Sequence, residues 1–405
     1  KEIFKADPIS TQFPFSSHWM GSWGGPTEPV LMGQTVFADL DDDGDLDFAA
    51  GQRDVYPGGM FWWEQCSADH WVRHKVGTGQ KSDSSGDALD VDKDGLIDIL
   101  TGDSWFKNPG RSREMEWERI DAGTKNAEDL VVGDVTGDGM AEVLYVNNDF
   151  KPEWYKIGAT PENGFMLGGV LDHNIQQGVA WGDLNGDGAN DWLISSKWWY
   201  ENDGTGTTFT ERAITATAVF DANASSHAPL TYVGDLDGDG DNDFAMSSHW
   251  MGGTNAAKLA WVENLDGKGT SWEMHMLSQA GMYTHGVILA DFDNDKDLDI
   301  FWARNVGPSF IYENTGNKVF VERKIVNDFR GHTPRAGDAD CDGDLDIAGG
   351  PWGDQGPADH GEQDKPIRDY VYLKNLAVEG GATPIFDAAR QPYELGWREK
   401  NHCLR

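Results

Sequence analysis

The sequence contains no run of about 18 apolar residues, so no segment is expected to cross a bilayer as a helix. Cysteine is scarce. Cys66, Cys341 and Cys403 cannot build a disulfide framework, which leaves a single bridge, Cys66–Cys403, or free thiols as the alternatives. Basic residues are outnumbered, with 32 Lys and Arg against 69 Asp and Glu and a net charge of −37. Nucleic-acid binding needs clustered Lys and Arg to neutralise phosphates, so that class of partner is excluded. Also missing are a phosphate-cradling glycine loop, a G-x-S-x-G nucleophile turn and paired zinc cysteines. The first residues, KEIFKADPIS, hold no apolar signal region and are expected to begin a processed chain.

What is present is repetition. A chain of 405 residues is long for one ordinary core, so it is either several domains or one repeat-built domain. Seven nine-residue motifs settle the choice: DLDDDGDLD (39–47), DVDKDGLID (90–98), DVTGDGMAE (134–142), DLNGDGAND (183–191), DLDGDGDND (235–243), DFDNDKDLD (291–299) and DADCDGDLD (338–346). Each lies between two short apolar runs. A strand with an aromatic body and a polar end follows, such as FWWEQ, WFKN, WWYEN or FIYEN, and often a fourth strand such as FTERAI. Four short strands per repeat and little helical periodicity describe a propeller blade. The expected fold is all-β: one seven-bladed β-propeller over 1–405, four antiparallel strands per blade, with both chain ends contributing to the closing blade.

Positions 1, 3 and 5 of the motif are mostly Asp, position 6 is usually Gly, and position 9 is Asp or Glu. Alternate acidic side chains on a tight loop converge and repel one another unless a hard cation sits among them, and flexible all-oxygen ligation suits Ca²⁺. The candidate ligands are Asp39, Asp41, Asp43 and Asp47; Asp90, Asp92, Asp94 and Asp98; Asp134, Asp138 and Glu142; Asp183, Asn185, Asp187 and Asp191. The later copies add Asp235, Asp237, Asp239 and Asp243; Asp291, Asp293, Asp295 and Asp299; and Asp338, Asp340, Asp342 and Asp346. An EF-hand is excluded, because position 12 is Ala50 or Met246 rather than Glu and the flanks read as strands. Thr136 and Asn185 at position 3, and Lys296 in place of Gly, mark weaker copies, the one at Thr136 above all.

On these motifs the chain resembles the FG-GAP/VCBS-type β-propeller family over nearly its whole length. The resemblance implies structural Ca²⁺ sites and leaves function open among integrin-like adhesion heads, lectin-like modules, polysaccharide lyases such as ulvan and rhamnose–glucuronate lyases, and sugar dehydratases with similar blades.

If the acidic loop joins the first two strands of a blade, the residues before strand one and after strand two share the opposite face. Counting from each motif places GQRD (51–54), SSKW (195–198), SSHW (247–250), ARNV (303–306) and GPWG (350–353) there, and His285 and His332 at the starts of their blades. SSHWMG occurs twice, at 16–21 and 247–252, and the first copy is expected on this same face at the start of blade I. His227, His249, His285 and His332 would gather in one sector with Tyr283, Arg304 and Arg335. Trp250, Trp352, Lys197, Arg53 and His360 would form the surrounding substrate platform. His70, His74 and His275 fall on outer strands and are set aside, and Trp62, Trp63, Trp198 and Trp199 are assigned to the core between blades.

β-Elimination on a uronic-acid-containing glycan needs a base, a carboxylate neutraliser and an acid for the leaving oxygen. His285 or His332, Arg304 or Arg335, and Tyr283 supply those types. The expected function is a secreted or periplasmic polysaccharide lyase with a polysaccharide or oligosaccharide substrate. The alternatives are a non-catalytic glycan- or protein-binding propeller, and a dehydratase with an additional catalytic metal on the His cluster. A paired-carboxylate glycosidase built on Asp54, Asp103 and Glu128 ranks below the lyase.

Overall fold

The computed structural model describes residues 15–22, 32–52, 58–67, 70–80, 86–110, 113, 115–147, 149–175, 177–219, 230–248, 257–281, 284–304, 308–326, 329, 332–350 and 369–376. They form seven four-stranded antiparallel sheets, and short 3₁₀ turns at Pro161–Asn163 and Thr215–Val219 are the only helical segments among them. Blades I to VI each use four consecutive strands, as in blade VI: Thr284–Ala290, Asp299–Arg304, Ser309–Asn314 and Phe320–Val326. Innermost strands contact their neighbours around the ring, for example Thr284–Ala290 against His332–Gly337 and His332–Gly337 against Met32–Ala38.

Closure departs from the expected placement of the first SSHWMG. Its strand, Ser16–Ser22, is the outermost strand of blade VII and pairs with Asp369–Lys374, outside Asp346–Gly350 and His332–Gly337. Of the second copy, Ser247 ends the second strand of blade V and Ser248 follows it, and the rest of that hexapeptide lies outside the described residues. A ring of sheets is secured when its last blade takes strands from both chain ends, because no pairing edge is then left at the seam.

The core is divided rather than central. Seven apolar clusters occur, one at each interface between neighbouring blades. The two middle strands of each blade are buried on both faces, which explains their near-continuous apolar runs. Trp62, Trp63 and Trp199 lie in these clusters as expected, and Trp198, half-buried, packs against the cluster between blades III and IV and stacks on His173 with ring centroids 3.8 Å apart. Cys66 is a free, exposed thiol, and Cys403 lies outside the described residues.

Candidate functional site

The acidic motifs form the turns between first and second strands, all at one end of the ring. Position 1 shapes the turn by accepting backbone N–H groups four or five residues on: Asp39 from Asp43 (3.1 Å) and Gly44 (3.2 Å), Asp183 from Gly188 (2.8 Å), Asp291 from Lys296 (2.9 Å). Position 6 takes positive φ, from 81° at Gly139 to 107° at Gly44, which is why Gly recurs there. Lys296 adopts the same conformation at 84° with a side chain. In at least four loops, those of Asp39–Asp41–Asp43, Asp90–Asp92–Asp94, Asp235–Asp237–Asp239 and Asp291–Asp293–Asp295, the carboxylate oxygens lie within 4.8 Å of one another. Burial, with the Asp43, Asp41 and Asp39 carboxylates adding to it, pushes Asp45 up to about 8, and Asp241 and Asp293 rise to about 6 for the same kind of reason. The carboxylates' share of these shifts, smaller than that of burial, is the mutual repulsion that a hard cation would relieve.

Position 9 has a further role that the motif did not announce. Asp47, Asp98, Asp191, Asp243, Asp299 and Asp346 are completely buried. One oxygen of each accepts the N–H of position 2, as in Phe292 to Asp299 at 3.0 Å. The other accepts the N–H of a residue at or beside the end of strand three, as in Asn314 to Asp299 at 2.8 Å. That residue is Asn in five blades and Gln65 in blade I. Its side-chain amide donates to the position-2 carbonyl of the preceding blade: Asn108 to Leu40, Asn202 to Val135, Asn264 to Leu184, Asn314 to Leu236, Asn375 to Phe292 and Gln65 to Ala339, at 2.7–3.1 Å. Blade III keeps the position-2 bond, with Val135 N–H donating to Glu142 at 3.0 Å, but differs in the rest. Glu142 accepts from Thr136 N and Thr136 Oγ1, and Ile157 replaces the amide and packs with Leu89 and Val91.

The residue just before this amide faces the acidic loop. It is Glu64, Glu201, Glu263 and Glu313 in blades I, IV, V and VI, and Lys107, Lys156 and Lys374 in blades II, III and VII. Each glutamate has its Oε2 held from strand four: by His74 at 2.7 Å, Arg212 at 2.9 Å, His275 at 2.7 Å and Arg323 at 2.6 Å. The His74 and His275 rings stack on Trp62 and Trp261. These histidines, set aside in the sequence, are thus part of the loop architecture. The cross-strand register that pairs Trp62 with His74 and Trp261 with His275 was the signal that could have found them.

The opposite end of the ring carries the starts of the first strands and the turns between strands two and three. Among the candidate residues, His227, His249, Trp250, Tyr283, Trp352, His360 and Arg53 lie outside the described residues. His285 and His332 open the inner strands of blades VI and VII, at or beside irregularities in strand register. The segments bearing them touch, since a Cβ on Gly286 would lie 2.3 Å from Pro334 Cδ. Thr284 Oγ1 donates to Ser248 O at 2.6 Å, which ties the residue before His249 to the one before His285. Lys197 is half-buried in the blade IV turn, beside Ser196, whose hydroxyl meets Thr231 Oγ1 at 2.7 Å.

Two arginines stand out at this end. The Arg304 guanidinium lies over the rings of Phe310 (4.4 Å) and Trp302 (4.8 Å), its Nε buried without a hydrogen-bond partner. Arg335 reaches over blade I to donate to Gly86 O at 3.1 Å. Neither forms an ion pair among the described residues, although Arg113, Arg119, Arg212 and Arg323 all do. Asp103 is committed to Arg119 at 2.9 Å and Glu128 is buried against Gln177, while Asp54 lies outside the described residues.

Seven four-stranded blades in a ring, each with an acidic turn at the same end, define a seven-bladed β-propeller. Residues 235–302 and 291–349 match the family model described as FG-GAP-like repeat. No curated protein matches the chain. Among solved structures, one titled "COPII on membranes, outer coat vertex" is similar at 7% identity and TM-score 0.52, over 89% of this chain and 90% of that one. The crystal structure of BBS1N in complex with ARL6DN gives 10% identity and TM-score 0.47, over 88% and 96%. The V. cholerae biofilm matrix protein Bap1 gives 14% and 0.40, over 91% and 71%. At such identities the likeness is one of fold. No helix among the described residues is long and apolar enough to cross a membrane.

Proposed function

We propose that the protein is a calcium-bound propeller that acts on a uronic-acid-containing glycan, with the glycan seated on the end opposite the acidic loops. The observation that carries this reading is the pair Arg304 and Arg335: in a chain of net charge −37, two rim guanidiniums make no carboxylate ion pair among the described residues. Such cations suit an anionic ligand, and the planar guanidinium fits a carboxylate through two parallel hydrogen bonds. Ca²⁺ in the loops would relieve their self-repulsion and leave the opposite end as the positive feature of the molecule.

The activity we assign is β-elimination. A histidine, His285 or His332, takes the proton alpha to the uronate carboxylate, and Arg304 or Arg335 neutralises that carboxylate. As the C–H electron pair forms the C=C bond, the glycosidic C–O bond breaks, and Tyr283 protonates the departing oxygen. A need for calcium in the loops and an acidic chain support an extracellular or periplasmic setting. The experiment is incubation with a panel of uronic-acid glycans, with calcium and with chelator, following the ultraviolet absorbance of the unsaturated uronate. A rise on any glycan supports the lyase. No rise on any glycan, with clear binding on a glycan array, overturns it in favour of a recognition surface. That second reading draws on the same two arginines, which bind an acidic sugar equally well without turnover.

A further inference from the structure

The seven acidic loops are not equivalent. We propose that four of them, in blades I, IV, V and VI, are divalent-cation sites completed by a glutamate from strand three, whereas the loops of blades II, III and VII are closed by a lysine of their own blade and take no cation. This rests on the reading of the loops as calcium sites and goes beyond it by naming which loops bind and which further residue completes them.

The glutamates are built for the role. Glu64, Glu263 and Glu313 are buried, at 8, 6 and 3% exposure. With Oε2 anchored to strand four, Oε1 is left on the loop side. Glu201 Oε1 lies 3.3 Å from Asn185 Nδ2, and Glu64 Oε1 lies 3.2 Å from the Arg113 guanidinium, which also contacts Asp41 and Asp43. Glu263 Oε1 and Asp237 share Lys318 in the same way. In blade I, Asp41 is 6% exposed and its Oδ1 has no hydrogen-bond partner, and Asp293 Oδ1 in blade VI likewise has none. Asp90 Oδ1 and Asp340 Oδ1 in blades II and VII share this feature, so the strand-three side chain, and not an orphaned oxygen, sorts the loops. A metal-binding side chain is commonly oriented by a hydrogen bond to its far atom. His74, Arg212, His275 and Arg323 occupy that positioning role at four equivalent places.

In the other three blades the equivalent side chain is an ammonium. Lys107 contacts Asp92 and lies 3.2 Å from Asp94; Lys374 contacts Asp340 and lies 3.1 Å from Asp342; Lys156 lies 2.9 Å from Asp138. These lysines rise from strands fixed in the blade, so a cation would have to share the loop with a tethered positive charge. Arg113 and Lys318 differ. Each reaches over from the following blade and is 44 or 45% exposed, free to swing into solvent when a cation arrives. Blade III adds its own signature, since Thr136 replaces the carboxylate at position 3 and bonds to Glu142.

The test is a count of bound Ca²⁺ on the whole chain by equilibrium dialysis and elemental analysis, with circular dichroism as the check of folding. The expected result is four ions per chain, one for each glutamate loop. Glu201→Gln is expected to give three, and Lys374→Glu five. His275→Ala is expected to weaken one site by about ten- to a hundredfold, which a merely structural histidine would not do. Seven ions in the wild type, or counts unmoved by Glu201→Gln and by both Lys374→Glu and Lys107→Glu, would overturn the sorting of loops while leaving the calcium reading intact. No bound Ca²⁺ at all would overturn both.

Discussion

Asn314 bridges blades VI and V, and Asn314→Ala measures what that bridge contributes. The amide Nδ2 donates to Leu236 O across the interface at 2.9 Å and to Leu298 O at 3.3 Å, and Oδ1 accepts from Gly316 N at 3.2 Å. Leu236 is wholly buried, so water cannot take over the first bond. An unpaired buried carbonyl costs about 1–3 kcal/mol, and an ordinary hydrogen bond contributes about 0.5–1.5 kcal/mol. The bonds to Leu298 and Gly316 are partly open to water and recover some of their loss. The expected destabilisation is therefore about 2–4 kcal/mol. It is read from urea unfolding at fixed calcium, followed by tryptophan fluorescence, since Trp261 and Trp302 lie in the same interface cluster. The denaturant slope should stay unchanged, because the folded contact area is nearly the same. A loss below about 0.5 kcal/mol would refute the idea that the amide ring couples the blades, because it would mean that these bonds are replaced without cost.

Three further outcomes follow from the same geometry. In chelator, burial holds Asp98 and Asp243 up at about 8 and Asp191 at about 7. The folded chain then binds protons more tightly than the unfolded chain, whose Asp titrates near 4, so stability should fall as pH rises from about 4 to about 8. A urea midpoint that climbs over that window, without calcium, would contradict this. Gly286→Ala would place a methyl 2.3 Å from Pro334 Cδ and 3.1 Å from Ala303 Cβ, and should cost about 1–3 kcal/mol by calorimetry; an unchanged melting temperature would mean that the two rim segments part freely. Arg304→Ala should weaken binding of an acidic oligosaccharide about tenfold or more, and Arg304→Lys should recover only part of it, because the ammonium lacks the planar fork that lies over Phe310; titration calorimetry reads both.

The fold was legible because its signal is repeated and local. Nine residues with alternating carboxylates mark the turn between strands one and two in every blade, and their spacing gives the blade count. What stayed hidden depends on partners distant in sequence. The WWYEN pattern looks like a strand with a polar end, but Asn202 bonds to Val135, 67 residues earlier, and Gln65 to Ala339, 274 residues later. The first SSHWMG was placed by likeness to the second, although ring closure sends Ser16–Ser22 to the outer edge of blade VII. Glu64 and His74, or Glu263 and His275, come together only once the register of strands three and four is fixed. On the opposite rim, counting from the motifs placed His285 and His332 correctly at the starts of neighbouring inner strands, because that distance is set by strand length alone.

The most direct test of the proposed function is to run the reaction in heavy-oxygen water and weigh the products. Elimination breaks the C–O bond without adding water, so the account predicts an unsaturated fragment carrying no solvent oxygen, lost when His285 and His332 are both replaced by Ala. Fragments that gain one heavy oxygen at the cleaved end would show hydrolysis and contradict the lyase.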